Sequence, residues 1–243
     1  MPPPPRGTVA LWSLVVPPPP RAEGWLPALS DEEAARAGRF RFAADRAAYV
    51  AAHALLRALL AAHGVGRPCF RAGPWGKPEL VDAPGELRFS LSHTRGLVVA
   101  GVAAGDDLGV DAELADREVD AVGLAARFFA PAEAAAIAAT PAAGRMEAFL
   151  RLWTLKEAFA KAVGQGLSLP LSSFAFGPGS FTCDPAQGPA DGWSFLSRPI
   201  QSPAGHLAVA LRWPAADGLR VEERALSPAA LDEALARGGD RHG

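Results

Sequence analysis

The segment 108–113, Leu-Gly-Val-Asp-Ala-Glu, decides the expected fold, because an apolar run ends there on two carboxylates. The run 97–103 before it is continuously apolar and predicts a central β-strand, and 105–107 predicts the turn between the two strands. Side chains of a strand alternate between its faces, so Asp111 and Glu113 share one face. Two carboxylates on one face repel each other, and a cation between them relieves that repulsion. The pair therefore favours a magnesium site. The alternative is a strand end with two solvated acids.

A helix predicted over 147–163 contains the second acidic motif. Trp153, Glu157 and Lys161 are four residues apart and share a helix face. If this face were exposed, the glutamate and lysine would form only a surface ion pair. Much of the helix is apolar instead. The apolar residues include Phe149, Leu150, Leu152, Leu155 and Phe159. We therefore expect Glu157 and Lys161 to be partly buried and, with Asp111, to bind a divalent cation and a phosphate.

The remaining elements predict an α+β chain. Ser30 and Glu33 have the spacing of a capping box at a helix N-terminus, and a long helix is predicted over 45–63. Pro131 fits the first position of a later helix. The order is roughly β-α-α-β-β-β followed by α-α-α-β-β-β, which indicates two similar α+β units that meet near residue 110.

Proline and glycine mark the segments without regular structure. A first strand is predicted over 8–16 between stiff, extended prolines, and 71–84 predicts a loop. The strand is too short to span a bilayer and has none of the features of a signal peptide. We therefore expect neither a membrane partner nor export.

Composition excludes several classes of function. Of 243 residues, 49% are apolar, which is enough for a substantial core. There are 24 basic and 26 acidic residues, so the chain lacks the basic footprint of a nucleic-acid binder. Cys69 and Cys183 are far apart and fit neither a zinc site nor a disulfide framework, which favours a reducing cytoplasm.

Three further segments contain candidate phosphate ligands. Ser90, Ser92 and His93 lie at the end of a predicted strand, where they could bind phosphate oxygens or simply cap the strand. In segment 75–78, Trp75 offers a stacking surface, Gly76 permits close backbone approach and Lys77 offers charge. The N-terminal half contains one dense cationic cluster, although such a run is usually a solvated helix face. Its members are Arg36, Arg39, Arg41 and Arg46.

Taken together and in order, these motifs resemble the 4'-phosphopantetheinyl transferase superfamily, in its larger pseudo-dimeric form that activates surfactin synthetase. The resemblance runs from about residue 30 to 176. Its most specific part is the Trp153 to Lys161 helix followed by Gly-Gln-Gly-Leu at 164–167. The resemblance implies two lobes related by a pseudo-twofold axis, residues 1–110 and 111–243, with the active site between them.

The resemblance also implies an activity. The enzyme would move the 4'-phosphopantetheine arm of coenzyme A to a serine of an acyl or peptidyl carrier protein and release 3',5'-ADP. Magnesium, with manganese as an alternative, would be held by Asp111, Glu113 and Glu157. Coenzyme A contacts fall on Arg36, Trp75, Gly76, Lys77, Ser90, Ser92, His93, Asp111, Glu157 and Lys161.

From these roles we expect Glu157 to accept the serine proton and Lys161 to stabilise the leaving oxygen, with Asp111 holding the metal. Glu33 and Ala48 occupy positions where some members have a lysine and an arginine, so one of the four clustered arginines should supply the missing charge. We expect a cytoplasmic monomer serving polyketide or nonribosomal-peptide carriers, or those of fatty-acid synthesis. The segment 128–131 is expected to contact the carrier or to pack in the core.

Two other functions share the same carboxylates. A magnesium-dependent nucleotide or pyrophosphate hydrolase would use water in place of the serine. A coenzyme-A-binding module would bind without turnover. Labelling of an apo-carrier separates both from the transferase.

Overall fold

The computed structural model describes residues 1–94, 96–116, 119–184 and 189–239, and it confirms the α+β class. The chain forms two compact units. The first contains Met1–Ala72, Pro78–Asp106 and Arg220–Gly243, and the second contains Gly73–Lys77 and Asp107–Leu219.

The strands of the described residues are β1 (Thr8–Val15), β2 (Phe70–Ala72), β3 (Pro78–Leu80), β4 (Leu87–His93), β5 (Leu97–Ala104), β6 (Leu108–Leu114), β7 (Ala175–Gly177), β8 (Ser180–Thr182), β9 (Ser194–Gln201), β10 (Ala204–Leu211) and β11 (Arg220–Leu226). The α-helices are α1 (Pro19–Glu23), α2 (Asp31–Ala37), α3 (Ala43–Ala62), α4 (Ala121–Phe128), α5 (Pro131–Ala139), α6 (Ala142–Val163) and α7 (Pro228–Gly239). Short 3₁₀ turns lie at Leu26–Ala28, Pro84–Glu86, Gly166–Ser168, Leu171–Ser173, Ala190–Gly192 and Ala215–Asp217.

The first unit is built on a four-stranded sheet in the order β11-β1-β5-β4. β1 pairs in parallel with β11 and antiparallel with β5, and β5 pairs antiparallel with β4. Every residue of β5 except the last is buried, as its continuous apolar run predicts. Helix α3, predicted over 45–63, packs against this strand and buries Leu55, Leu59 and Leu60 completely.

Helix α2 begins with the predicted capping box. The backbone N–H of Glu33 donates to Ser30 Oγ at 3.2 Å, and the Ser30 N–H donates to Glu33 Oε2 at 2.8 Å. These two bonds satisfy backbone donors that have no partner inside the helix.

The second unit is built on the antiparallel sheet β6-β10-β9, against which α6 packs. Phe159 anchors the helix, because its side chain is fully buried and contacts four aromatic rings. Those rings belong to Phe174, Phe181, Trp193 and Phe195, with centroids 4.7–6.3 Å away. Burial of such an aromatic cluster fixes the rotation of α6 and thereby the direction of its polar residues.

Helices α4 and α5 pack on the other end of α6. The ring of Phe129 stacks on Phe149 with centroids 5.5 Å apart, and Phe129 is 4% exposed. The sequence left two roles open for segment 128–131, contact with the carrier and packing in the core. Phe129 packs in the core. Phe128 is half-buried beneath the Arg127 guanidinium.

Three predictions of local structure were wrong. The prolines at 17–20 are not all extended, because Pro19 begins α1, where a missing N–H costs nothing. The predicted loop 71–84 contains the β2–β3 hairpin, in which Phe70 pairs with Leu80. The predicted order places a strand after the 147–163 helix, expected over 172–176; it begins later, at Ala175, because Ser173 donates to the Pro170 carbonyl and closes a 3₁₀ turn.

The compact units follow different boundaries from the predicted lobes. Residues 220–243 belong to the first unit, since β11 pairs with β1 along seven residue pairs. The lobes 1–110 and 111–243, their pseudo-twofold axis and a site between them stay predictions.

Within the described residues, no helix has the length and apolar character needed to cross a membrane.

Candidate active site

Strand β6 and helix α6 approach each other unusually closely. A Cβ atom at Gly109 would overlap the carbonyl oxygen of Ala158 and would lie 2.6 Å from the Ala162 nitrogen. Only glycine fits a position where one backbone lies directly on another. Gly109 therefore lets the strand that contains Asp111 lie on the helix that contains Glu157 and Lys161.

The close approach brings Lys161 onto Asp111. Lys161 Nζ lies 2.7 Å from Asp111 Oδ1 and also donates to the Val110 carbonyl at 3.2 Å. The Asp111 side chain is 5% exposed and that of Lys161 is 30% exposed. An ion pair that is largely removed from water is stronger and better ordered than a surface pair. The expectation that Glu157 and Lys161 are partly buried is confirmed, because both are half-buried.

Glu157 lies within electrostatic range of the same pair. Burial raises the pKa of Glu157, the Asp111 charge raises it further, and Lys161 partly opposes both effects. Two carboxylates thus compete for one ammonium, an arrangement that a divalent cation would relieve.

The donor set of this site fits magnesium. Mg²⁺ uses one or two protein carboxylates and completes its shell with water and substrate phosphates. Among the described residues, no group of three or more His, Cys, Asp and Glu side chains is arranged as a ready-made metal cage. Asp111 and Glu157 supply the two carboxylates that Mg²⁺ uses. Metal binding itself stays a prediction.

Glu113 lies on the same face of β6 but has different neighbours. It is half-buried, and it pairs in the β6–β10 register with His206. The His206 side chain is buried, and its Nε2 lies 2.8 Å from Ser197 Oγ. The role of Glu113 as a third metal ligand stays a prediction.

Sequence reasoning missed a buried ion pair next to the site. Lys156 is fully buried; its Nζ lies 2.7 Å from Glu133 Oε2 and donates to the carbonyls of Leu171 and Phe174, also at 2.7 Å. Burial lowers the pKa of Lys156, and Glu133 opposes that shift. A lysine within a helix that is apolar on most sides was the available signal. Its partner lies 23 residues earlier in the chain, where periodicity gives no indication of it.

Both oxygens of the Glu133 carboxylate have hydrogen-bond partners. It also accepts from the backbone N–H groups of Ala130 and Phe176, at 3.0 and 2.8 Å. The Lys156–Glu133 ion pair thus ties α5, α6 and β7 together, with Lys156 directly preceding Glu157 in the chain.

The structure places the other predicted coenzyme A contacts in two groups. Ser90 and Ser92 are buried within β4, and His93 is exposed at the end of that strand, all in the first unit. Trp75 is 61% exposed and Gly76 has a φ of +82°, both in the 73–77 turn of the second unit. The binding roles of both groups stay predictions.

Lys77 lies in the same turn, but its ammonium binds protein backbone. Its Nζ donates to the carbonyl of Leu108 at 3.0 Å and to that of Ala162 at 3.1 Å.

Three of the four clustered arginines have identifiable partners. The Arg36 guanidinium lies over the ring of Tyr49, 5.8 Å from its centroid. That of Arg41 lies over Phe42, and Arg46 approaches Glu23 at 3.6 Å. Which of these positions serves a phosphate stays a prediction.

Glu33, which stands where some members of the family have a lysine, is bound by two side chains of α3, His53 and Arg57. Its carboxylate oxygens lie 2.9 Å from His53 Nδ1 and 2.8 Å from Arg57 Nη2. Burial raises its pKa, but the hydrogen bonds from His53 and the Ser30 N–H and these charges outweigh burial and lower the pKa to about 2.

Comparison with known proteins identifies the family. Residues 107–206, which include β6 and α6, match the family model described as the 4'-phosphopantetheinyl transferase superfamily. A putative 4'-phosphopantetheinyl transferase from Synechocystis is 32% identical over 198 residues, covering 76% of this chain and 78% of the relative. The chain belongs to the 4'-phosphopantetheinyl transferase superfamily.

Two further transferases match shorter segments of the chain. HetI from Nostoc is 37% identical over 145 residues, 58% of this chain and 61% of HetI. Sfp from Bacillus subtilis is 33% identical over 106 residues, 44% of this chain and 46% of Sfp. The resemblance based on the sequence motifs is thus confirmed, as is the enzyme class of a 4'-phosphopantetheinyl transferase.

Proposed function

We propose that this 4'-phosphopantetheinyl transferase moves the arm of coenzyme A to a serine of an apo acyl or peptidyl carrier protein, depends on Mg²⁺ and releases 3',5'-ADP. The main support is the arrangement of Asp111, Glu157 and Lys161. It combines an ion pair with a second carboxylate whose pKa is raised. Phosphoryl transfer needs this combination of a proton acceptor and concentrated positive charge.

Glu157 is the proton acceptor in this proposal. The carrier serine Oγ attacks the β-phosphorus of coenzyme A, a new O–P bond forms, and the serine proton passes to Glu157 directly or through one water. A carboxylate with a raised pKa is a better proton acceptor than an ordinary glutamate.

Lys161 offsets the charge of the leaving group. As the pyrophosphate P–O bond breaks, its electron pair stays on the oxygen of 3',5'-ADP, and the ammonium stabilises that oxygen. The contacts of Lys161 with Asp111 and with the Val110 carbonyl already direct the ammonium toward β6. Catalysis of phosphoryl transfer consists mostly of such positioning and electrostatics.

Asp111 and Glu157 would hold the magnesium ion, with Glu113 completing the shell directly or through water. When bound, the metal supplies positive charge to the pyrophosphate oxygens, and Mn²⁺ is an alternative. The residues contribute the oxygen donors and a partly buried setting, in which charges interact more strongly than in water.

The remaining contacts follow from family membership. We propose that coenzyme A contacts Arg36, Trp75, Gly76, Ser90, Ser92 and His93, and that the enzyme acts as a cytoplasmic monomer on polyketide or nonribosomal-peptide carriers. The near-neutral charge balance supports partners other than nucleic acid.

Mass spectrometry of a carrier tests the proposal. Incubation of the wild-type chain with coenzyme A, Mg²⁺ and an apo-carrier should add one phosphopantetheine arm to the carrier and release one equivalent of 3',5'-ADP. A carrier whose acceptor serine is replaced by alanine is the control. Release of 3',5'-ADP without a mass gain would contradict transfer and favour a hydrolase, and coenzyme A binding without turnover would favour a binding module.

A further inference from the structure

The ammonium of Lys77 lies between carbonyl oxygens of two different elements. It donates to Leu108, the first residue of β6, and to Ala162, in the last turn of α6. The last carbonyls of a helix have no partner inside the helix and lie at its negative end, so a cation there is favourable. One side chain thus binds the strand and the helix at the same time.

The surrounding backbone is shaped for this side chain. Gly164 ends α6 with a φ of +82°, and a Cβ there would lie 3.1 Å from Lys77 Cδ. The turn that presents Lys77 is closed by two hydrogen bonds, from Gly73 N–H to the Lys77 carbonyl and from Gly76 N–H to the Gly73 carbonyl. The stem of Lys77 therefore packs over a residue without a side chain and leaves from an ordered turn.

The two carbonyls lie beside the reacting groups. Leu108 is three residues before Asp111 on β6, and Ala162 directly follows Lys161 on α6. The two hydrogen bonds of Lys77 hold the Leu108 carbonyl next to the Ala162 carbonyl. They thereby fix the distance between β6 and α6 where Lys161 meets Asp111. Loss of these hydrogen bonds would let β6 and α6 separate locally.

We infer that Lys77 is a positioning residue, which holds β6 against α6 and so sets the geometry of Asp111, Glu157 and Lys161, in place of the coenzyme A contact that the sequence predicts for it. This inference rests on the proposed function of those three residues. It makes a kinetic distinction, because a positioning residue affects kcat, whereas a coenzyme A contact affects mainly KM.

The test replaces Lys77 by methionine, which keeps a long stem and removes the donors. Carrier labelling should show kcat reduced about 100-fold, as for a displacement of roughly 1 Å at a catalytic group, with KM for coenzyme A within about threefold of wild type. Hydrogen exchange should be faster at the amides of 108–111 and 162–165. Arg71→Gln, which removes a charge from the same hairpin at an exposed ion pair with Glu79, is the matched control and should leave all three readouts unchanged.

The outcomes separate the alternatives. A KM for coenzyme A raised about tenfold or more, with kcat and amide exchange unchanged, would make Lys77 a substrate contact and overturn the inference. If the wild type labels the carrier and Lys77→Met has the wild-type kcat, the inference is overturned and the proposed function stands. If the wild type labels no carrier, both the proposed function and the inference are overturned. If Lys77→Met does not fold, Lys77→Gln retains one donor group and is judged by the same readouts.

Discussion

Replacing Gly109 by alanine is expected to force β6 away from α6. The new methyl group would overlap the Ala158 carbonyl oxygen and would lie 2.6 Å from the Ala162 nitrogen and 2.9 Å from the Ala158 carbonyl carbon. All three are backbone atoms, so no side-chain rotation relieves the overlap. Because non-bonded heavy atoms prefer about 3.5 Å or more, clearing the Ala162 nitrogen takes about 1 Å and clearing the Ala158 oxygen takes more, so the two elements must separate by at least about 1 Å.

That separation has two consequences of predictable size. Overpacking of this kind costs about 1–3 kcal/mol of unfolding free energy. A shift of about 1 Å between Asp111 and Lys161 would break their 2.7 Å contact and is expected to lower kcat about 100-fold.

Urea unfolding and steady-state carrier labelling measure these two effects. Gly144→Ala is the matched control, because it lies on α6 and its Cβ would meet only the Thr140 methyl group, at 3.4 Å. That variant should keep the wild-type kcat and be at least as stable as wild type, because alanine is favoured over glycine within a helix. If Gly109→Ala behaved like this control in both assays, the close packing of β6 on α6 would be refuted.

Three further variants test other parts of the account. The pKa of Glu33 is lowered from 4.5 to about 2, so its carboxylate contributes about 3 kcal/mol to folding above pH 4.5, and this is lost as the pH falls toward 2. Urea unfolding of Glu33→Gln should therefore differ from wild type by about 3 kcal/mol at pH 7 and about 1 kcal/mol at pH 3, with Glu32→Gln as the control; a pH-independent difference would contradict this. Lys156→Met should lose about 3–5 kcal/mol of unfolding free energy, because it leaves the Glu133 carboxylate buried without its cation. Adding Glu133→Gln should recover part of that loss, and a double variant less stable than the single one would argue against the pairing. His93→Ala should raise KM for coenzyme A about tenfold with kcat nearly unchanged, and an unaltered KM would remove His93 from the binding residues.

Much of the local structure could be predicted from the sequence, because periodicity and capping act over a few residues. The apolar run that ends at Asp111 and Glu113, after a turn at 105–107, predicted β6, and the Ser30–Glu33 spacing predicted the capping box that the structure contains. The spacing of Glu157 and Lys161 placed both on one face of a helix, and an apolar helix indicated their partial burial. These predictions needed no knowledge of distant contacts.

What could not be predicted depends on residues far apart in the chain. Gly109 is required by Ala158, and Lys77 binds carbonyls that follow it by 31 and 85 residues. The parallel pairing of β11 with β1 likewise joins the two ends of the described chain, which no local pattern indicates. Backbone carbonyl partners are also invisible to residue patterns, because every residue has one.

The central claim is that Glu157 accepts a proton at a site shared with Asp111 and Lys161. It is tested most directly by the single-turnover rate of carrier labelling by Glu157→Gln at saturating coenzyme A and Mg²⁺. Glu147→Gln, the same change at an exposed position of α6, is the control. We expect the Glu157 variant to be folded and at least about 1000-fold slower than wild type, with the control unchanged. A folded Glu157→Gln protein that labels the carrier at nearly the wild-type rate would contradict the account.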